Sequence, residues 1–84
     1  MKIIVNGREF SANWCWQMGS GRLMFEIEDY RPLYEIARDF ESAEEIIKIS
    51  KTEGDATYKN NGRVIRLIRP DAKPDFVQVT IERS

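Results

Sequence analysis

RPLYEIARDF, residues 31–40, is the one stretch of this chain whose apolar residues recur with helical spacing. Leu33, Ile36, Ala37 and Phe40 fall at i, i+3, i+4 and i+7 and share a stripe, while Glu35, Arg38, Asp39 and Glu41 face away. Elsewhere the apolar residues alternate as in strands. A single short helix among strands needs a sheet to cover. The expected fold is therefore α+β: a mostly antiparallel, curved sheet of about six or seven short strands, in the order β-β-β-α-β-β-β-β, with the helix packed on one face.

On the N-terminal side of that helix, Asp29 is placed to cap it, with Pro32 in the first turn, where a missing N–H costs nothing. Leu23, Phe25 and Ile27 alternate with Met24, Glu26 and Glu28 as a strand. Gly19, Ser20 and Gly21 are a turn. Before them Phe10, Ala12, Trp14, Trp16 and Met18 alternate without a break with Glu9, Ser11, Asn13, Cys15 and Gln17. Residues 2–5, Asn6-Gly7 and Arg8 onward make the strongest hairpin signal in the chain, because Asn-Gly accepts the positive φ values of a type I′ turn. Val5 then pairs with Arg8, Ile4 with Glu9, Ile3 with Phe10 and Met1 with Ala12.

On the C-terminal side, residues 45–49 (EIIKI) are β-branched and short, hence a strand. Residues 52–55 turn the chain. Residues 56–60 and 63–69 are expected to form a second hairpin around Asn61-Gly62, with Tyr58 opposite Ile65 and Ala56 opposite Leu67. Pro70 and Pro74 bound a loop, and residues 76–82 form a last strand with Val77, Val79 and Ile81 pointing one way. A barrel-like closure of these short strands is the alternative to an open sheet.

The 84 residues form one globular domain, 1–84, small enough to bury only roughly 60–65% of its unfolded surface. Hydrophobic residues at 42% and charged ones at 32% are those of a folded globular chain. The formal charge of −1 draws the whole molecule to neither nucleic acid nor membrane. With no leader pattern and no apolar run of membrane-spanning length, the expected location is the cytoplasm. The lone Cys15 forms no internal disulfide. The absence of histidine removes the usual base of a Ser or Cys nucleophile and the commonest transition-metal ligand. Charge is segregated: residues 1–25 carry +2, residues 26–55 carry −6 and residues 56–84 carry +3. That acidic middle either orients a partner or is simply a solvated helix face.

Trp14, Cys15, Trp16 and Met18 form the most unusual local composition, either lying under the helix or meeting a partner. Ile4, Met24, Ile46, Val64, Ile68 and Phe76 fall on strand faces opposite the expected core. That is more apolar surface than a solvated face normally carries, and points to self-association or docking, unless a folded-over sheet buries both sides. Lys59, Arg63, Arg66 and Arg69 make a basic strip that suits phosphates, although Phe76 is the only aromatic available for stacking there. Glu26, Glu28 and Asp29 end the third strand and Glu44 and Glu45 begin the fourth; paired carboxylates can run glycoside chemistry or hold Mg²⁺ or Ca²⁺, but no calcium-loop spacing accompanies them. Strand ends and a helix start explain their position. No catalytic residue, metal site or cofactor is expected.

The run EEIIKISKTEGDATYKNNGRVIRLIR (44–69) followed by VQVTIE (77–82), with the K-I-x-V-N-G hairpin at the other end, resembles small proteins of phages and prophages in Gram-positive bacteria. The resemblance implies a virion-associated or other phage-encoded accessory protein, with no catalytic residues to carry over. The expected function is thus a non-catalytic structural or protein-interaction module that pairs with itself or a larger assembly. The alternative is a small nucleic-acid-binding protein or an inhibitor of a nucleic-acid enzyme.

Overall fold

A computed structural model of the chain describes residues 1–19, 21–60 and 63–83. The elements are β1 (Lys2–Val5), β2 (Arg8–Gln17), β3 (Leu23–Glu28), α1 (Leu33–Ser42), β4 (Glu45–Ile49), β5 (Ala56–Lys59), β6 (Arg63–Ile68) and β7 (Phe76–Arg83). They build a single curved sheet, antiparallel throughout, in the order β5-β4-β1-β2-β3-β7-β6. The sheet is a half-barrel, and α1 closes its concave side.

The first hairpin has the expected register: Val5 pairs with Arg8, Ile4 with Glu9 and Ile3 with Phe10, and Ala12 N donates to Met1 O at 2.9 Å. Asn6 and Gly7 both take positive φ, 52° and 75°, as the twist-matched turn demands. Asn6 Nδ2 then donates to Asp39 O (3.0 Å) and Ser42 Oγ (2.7 Å), which ties the turn to the end of α1.

Ile36 and Phe40 are fully buried, and Leu33 packs at the margin of the core. The Phe40 ring lies 5.7 Å from both the Phe10 and the Phe25 rings, so the helix joins the two halves of the curled sheet through one side chain. Opposite it, Ile3, Val5, Leu23, Ile27, Ile46, Val77, Val79 and Ile81 complete the core.

Five expectations are corrected. Asp29 does not cap α1, whose N-cap position is Pro32, with no side-chain cap. Its carboxylate instead accepts the Arg31 backbone N–H at 2.9 Å, a local turn that competes successfully for it. The helix also runs past Phe40 to Ser42. β5 and β6 do not pair with each other: β5 pairs with β4 and β6 with β7, at opposite edges of the sheet. The helix lies alongside β6, where β5 would otherwise have gone, and the buried Asn60 amide donates to Phe40 O (2.7 Å) and Ala43 O (3.0 Å), satisfying carbonyls at the helix C-terminus. The Asn61-Gly62 turn lies outside the described residues. Ile46 faces the core at 1% exposure, opposite Val5, rather than the outer face. Its strand carries isoleucine in both phases, and only pairing with β1 decides which one turns inward.

The fifth correction concerns β2. Ala12 stands opposite Ile27 but Trp14 opposite Glu26, so β2 advances two residues where β3 advances one. Asn13 is the extra residue of a bulge, and the unbroken alternation fails there.

Candidate interaction surface on the outer sheet

The bulge decides where the tryptophans go. Past Asn13 the inward positions pass to Cys15, opposite Phe25, and Gln17, opposite Leu23, while Trp14, Trp16 and Met18 turn outward. Trp16 is 61% exposed, and its ring lies 5.5 Å from that of Trp14.

From there the register lays out the outer face of β2, β3, β7 and β6 in rows. Trp16, Met24, Thr80 and Arg66 form one, and Trp14, Glu26, Gln78 and Ile68 the next. Phe76 stands opposite Glu28 and Val64 opposite Glu82 at the two ends. Ile68 at 59% is nearly as exposed as Trp16. Cross-strand neighbours about 5 Å apart make these rows continuous contact surface.

The charges on this face largely cancel. Arg22 pairs with Glu82 at 3.2 Å. Glu26 is 2% exposed, unusual for a carboxylate on an outer face, and it accepts from Asn13 Nδ2 at 2.9 Å with Lys73 Nζ at 3.6 Å. The bulged residue thus supplies the hydrogen bond that lets a carboxylate sit between Trp14 and Gln78. No sequence signal separates Glu26 from its solvated neighbours, because its burial comes from Asn13 and from the 70–75 loop folding Lys73 back over the sheet.

Of the apolar set, Trp14, Trp16, Met24, Val64, Ile68 and Phe76 are brought together on this face. Ile4 is not: it lies on the outer side of the other half of the sheet, opposite Ile47, with the exposed Ile49 two residues further along β4. Ile47 and Ile49 belong to the outer apolar surface and are missed by simple alternation, because β4 is apolar in both phases.

The basic strip is dispersed. Arg69 donates to Asp29 O, Pro74 O and Arg31 O at 2.6–2.8 Å and so clamps two loops together. Arg63 donates to Gly21 O. Lys59 pairs with Glu45 at the β5 edge, across the sheet from β6. Only Arg66 stands on the face itself, and among the described residues it has no ion pair. Among the described residues no three His, Cys, Asp or Glu side chains gather as metal ligands, and no helix is long and apolar enough to cross a membrane.

No protein-family model, curated protein or solved structure matches this chain.

Proposed function

We propose that this chain is a non-catalytic interaction module, which self-associates or docks onto a larger assembly through the outer face of β2, β3, β7 and β6. The observation that carries the reading is the row structure of that face: exposed Trp16, Met18, Val64 and Ile68 flank half-buried Met24, Trp14 and Phe76. Interface cores are marked by this enrichment in Trp, Met and Phe with few unpaired charges. The likeness of the sequence to phage and prophage proteins fits an accessory or virion-associated role in the producing cell's cytoplasm. Nucleic-acid binding, the alternative, is supported only by Arg66, since Lys59, Arg63 and Arg69 are engaged elsewhere.

The test is solution mass against concentration for the native chain and for Trp16→Glu and Ile68→Glu. The native chain should gain mass with concentration, and both variants should lose that gain without a change in melting temperature. A chain that stays monomeric while binding RNA or DNA in a salt-sensitive way, and loses that binding in Arg66→Glu, would overturn the reading in favour of the alternative.

A further inference from the structure

β1 ends before its neighbours do. β2 is bonded on its β1 side only as far as Ala12, whose N–H reaches Met1 O. Residues 13–17 continue along β3 with, among the described residues, no strand on their other side. β4 also outruns β1, since Ile49 is opposite Lys2 and the chain continues into the 50–53 turn. Between these two overhangs lies a notch of about 650 Å³.

The lining shows what kind of notch it is. Asn13, Trp14, Cys15 and Trp16 all border it, as do residues 50–53 on the far wall. Successive side chains of a strand point to opposite faces, so consecutive residues line one cavity only when it runs along the backbone edge. Residues 13–17 present roughly 15 Å of such edge, the reach of four or five extended residues.

The far wall is preorganised. Gly54 N donates to Ser50 O, Glu53 N to Ser50 Oγ and Ser50 N to Asp55 Oδ1, each at 3.0–3.1 Å. Nearby charges cancel in pairs, Lys2 with Glu9 at 3.5 Å and Lys48 with Glu53 at 3.4 Å. Lys51, on the rim, has no ionic partner among the described residues. Trp14, Trp16 and Ile49 supply an apolar flank.

We infer that the notch receives an extended segment of a partner protein, which adds as a strand to the free edge of β2 in line with β1. Main-chain hydrogen bonds to residues 13–17 hold it. Its alternate side chains are apolar against Trp14, Trp16 and Ile49, and one acidic side chain meets Lys51. This site uses a backbone edge that the outer face does not, although Trp14 and Trp16 border both.

The probe is the capped peptide Thr-Val-Glu-Val-Thr-Val, with a proline-interrupted version as control, added to the full chain. Two readouts are followed: amide exchange at residues 13–17, and reaction of Cys15, the single cysteine, with a thiol reagent. The strand peptide should slow exchange of the edge amides about tenfold or more and protect Cys15, while the proline peptide does neither. Lys51→Glu should weaken the peptide about two- to fivefold, and replacing the peptide's glutamate by lysine should restore it. Edge amides in the free chain as protected as those of β3 would overturn the inference, because another copy or segment would already cover them. Equal action of the proline peptide would overturn it too, by showing a side-chain cavity instead of a strand edge. Ile68 lies on the outer face and not in the notch, so Ile68→Glu should abolish self-association while the strand peptide still protects the edge amides, and the two proposals fail separately.

Discussion

In the first half of β2, Phe10 and Ala12 turn inward and are buried, whereas in the second half the larger Trp14 and Trp16 turn outward. Both halves belong to one continuous strand of similar composition. The first is braced on both edges, by β1 and, at Ala12, by β3, and it packs on Phe40 of the helix. The second is bonded to β3 alone and carries its bulk away from the core. What separates them is the single extra residue at Asn13. A bulge in a strand of alternating residues transfers two tryptophans from a hydrophobic core to a surface where another molecule can reach them.

Deleting Asn13 is the most direct test of this contrast. Without the extra residue, Ala12 opposite Ile27 and Trp14 opposite Glu26 become consecutive pairs of a regular ladder, so Trp14 and Trp16 keep their outward side while the buried Glu26 carboxylate loses its donor. Orphaning that charge should cost about 3 kcal/mol or more. Equilibrium denaturation should find the deletion variant folded but destabilised by that amount, with the indole emission of exposed tryptophans. Blue-shifted emission from buried indoles would show that pairing with β3 does not set the side-chain phase of β2.

Phe10→Ala tests the inward half. Phe10 stacks on Phe40 and carries the Arg31 guanidinium 5.8 Å from its ring centre. Its truncation should destabilise the fold by about 3–5 kcal/mol in urea unfolding.

The hairpin at Asn6-Gly7 and the helical stripe were legible because local chemistry alone specifies them: a turn needing positive φ, and four apolar residues on one helical face. The strand order was not. The β5 and β6 segments, joined by Asn-Gly, look like a hairpin locally, and only the helix lying along β6 and the Asn60 amide on its C-terminal carbonyls send β5 to the other edge. The bulge was invisible for a related reason. Asn13 fits the alternation of β2 taken by itself, and the slip exists only relative to β3. For the candidate surface, the apolar excess on Met24, Val64, Ile68 and Phe76 could be read from alternation, whereas Ile46, in a strand apolar on both faces, could be placed only by its partner Val5.

A smaller effect comes from Asp29, whose partner Arg31 lies over Phe10 of the inward half. Burial pushes its carboxyl up, but hydrogen bonds from the Arg31 guanidinium and backbone N–H, with the Arg31 and Arg8 charges, outweigh this and hold it below its usual value. The folded state therefore favours the carboxylate more than the unfolded chain does. The resulting stability is fully present above the unfolded carboxyl pKa and is lost as pH falls through the folded one. Asp29→Asn should cost about 1–3 kcal/mol at neutral pH. In acid titrations of stability, the variant should approach the native chain as the pH drops, and parallel curves would show that Asp29 is not the group responsible.

Trp16→Ala should have the least effect on stability, although it removes a larger side chain than Phe10→Ala does. Trp16 is mostly solvent-exposed, and its strand position is already fixed by Cys15 and Gln17 opposite Phe25 and Leu23. Truncating an exposed side chain creates no cavity, so unfolding free energy should change by no more than about 0.5 kcal/mol. Set beside Phe10→Ala, six residues earlier on the same strand, this gives the sharper form of the contrast. If the two truncations cost the same, Trp16 is as much a part of the core as Phe10. If they differ as expected, an indole that contributes little to folding stands on a face of paired charges and half-buried methionine, where its apolar area is free to stabilise contact with a partner.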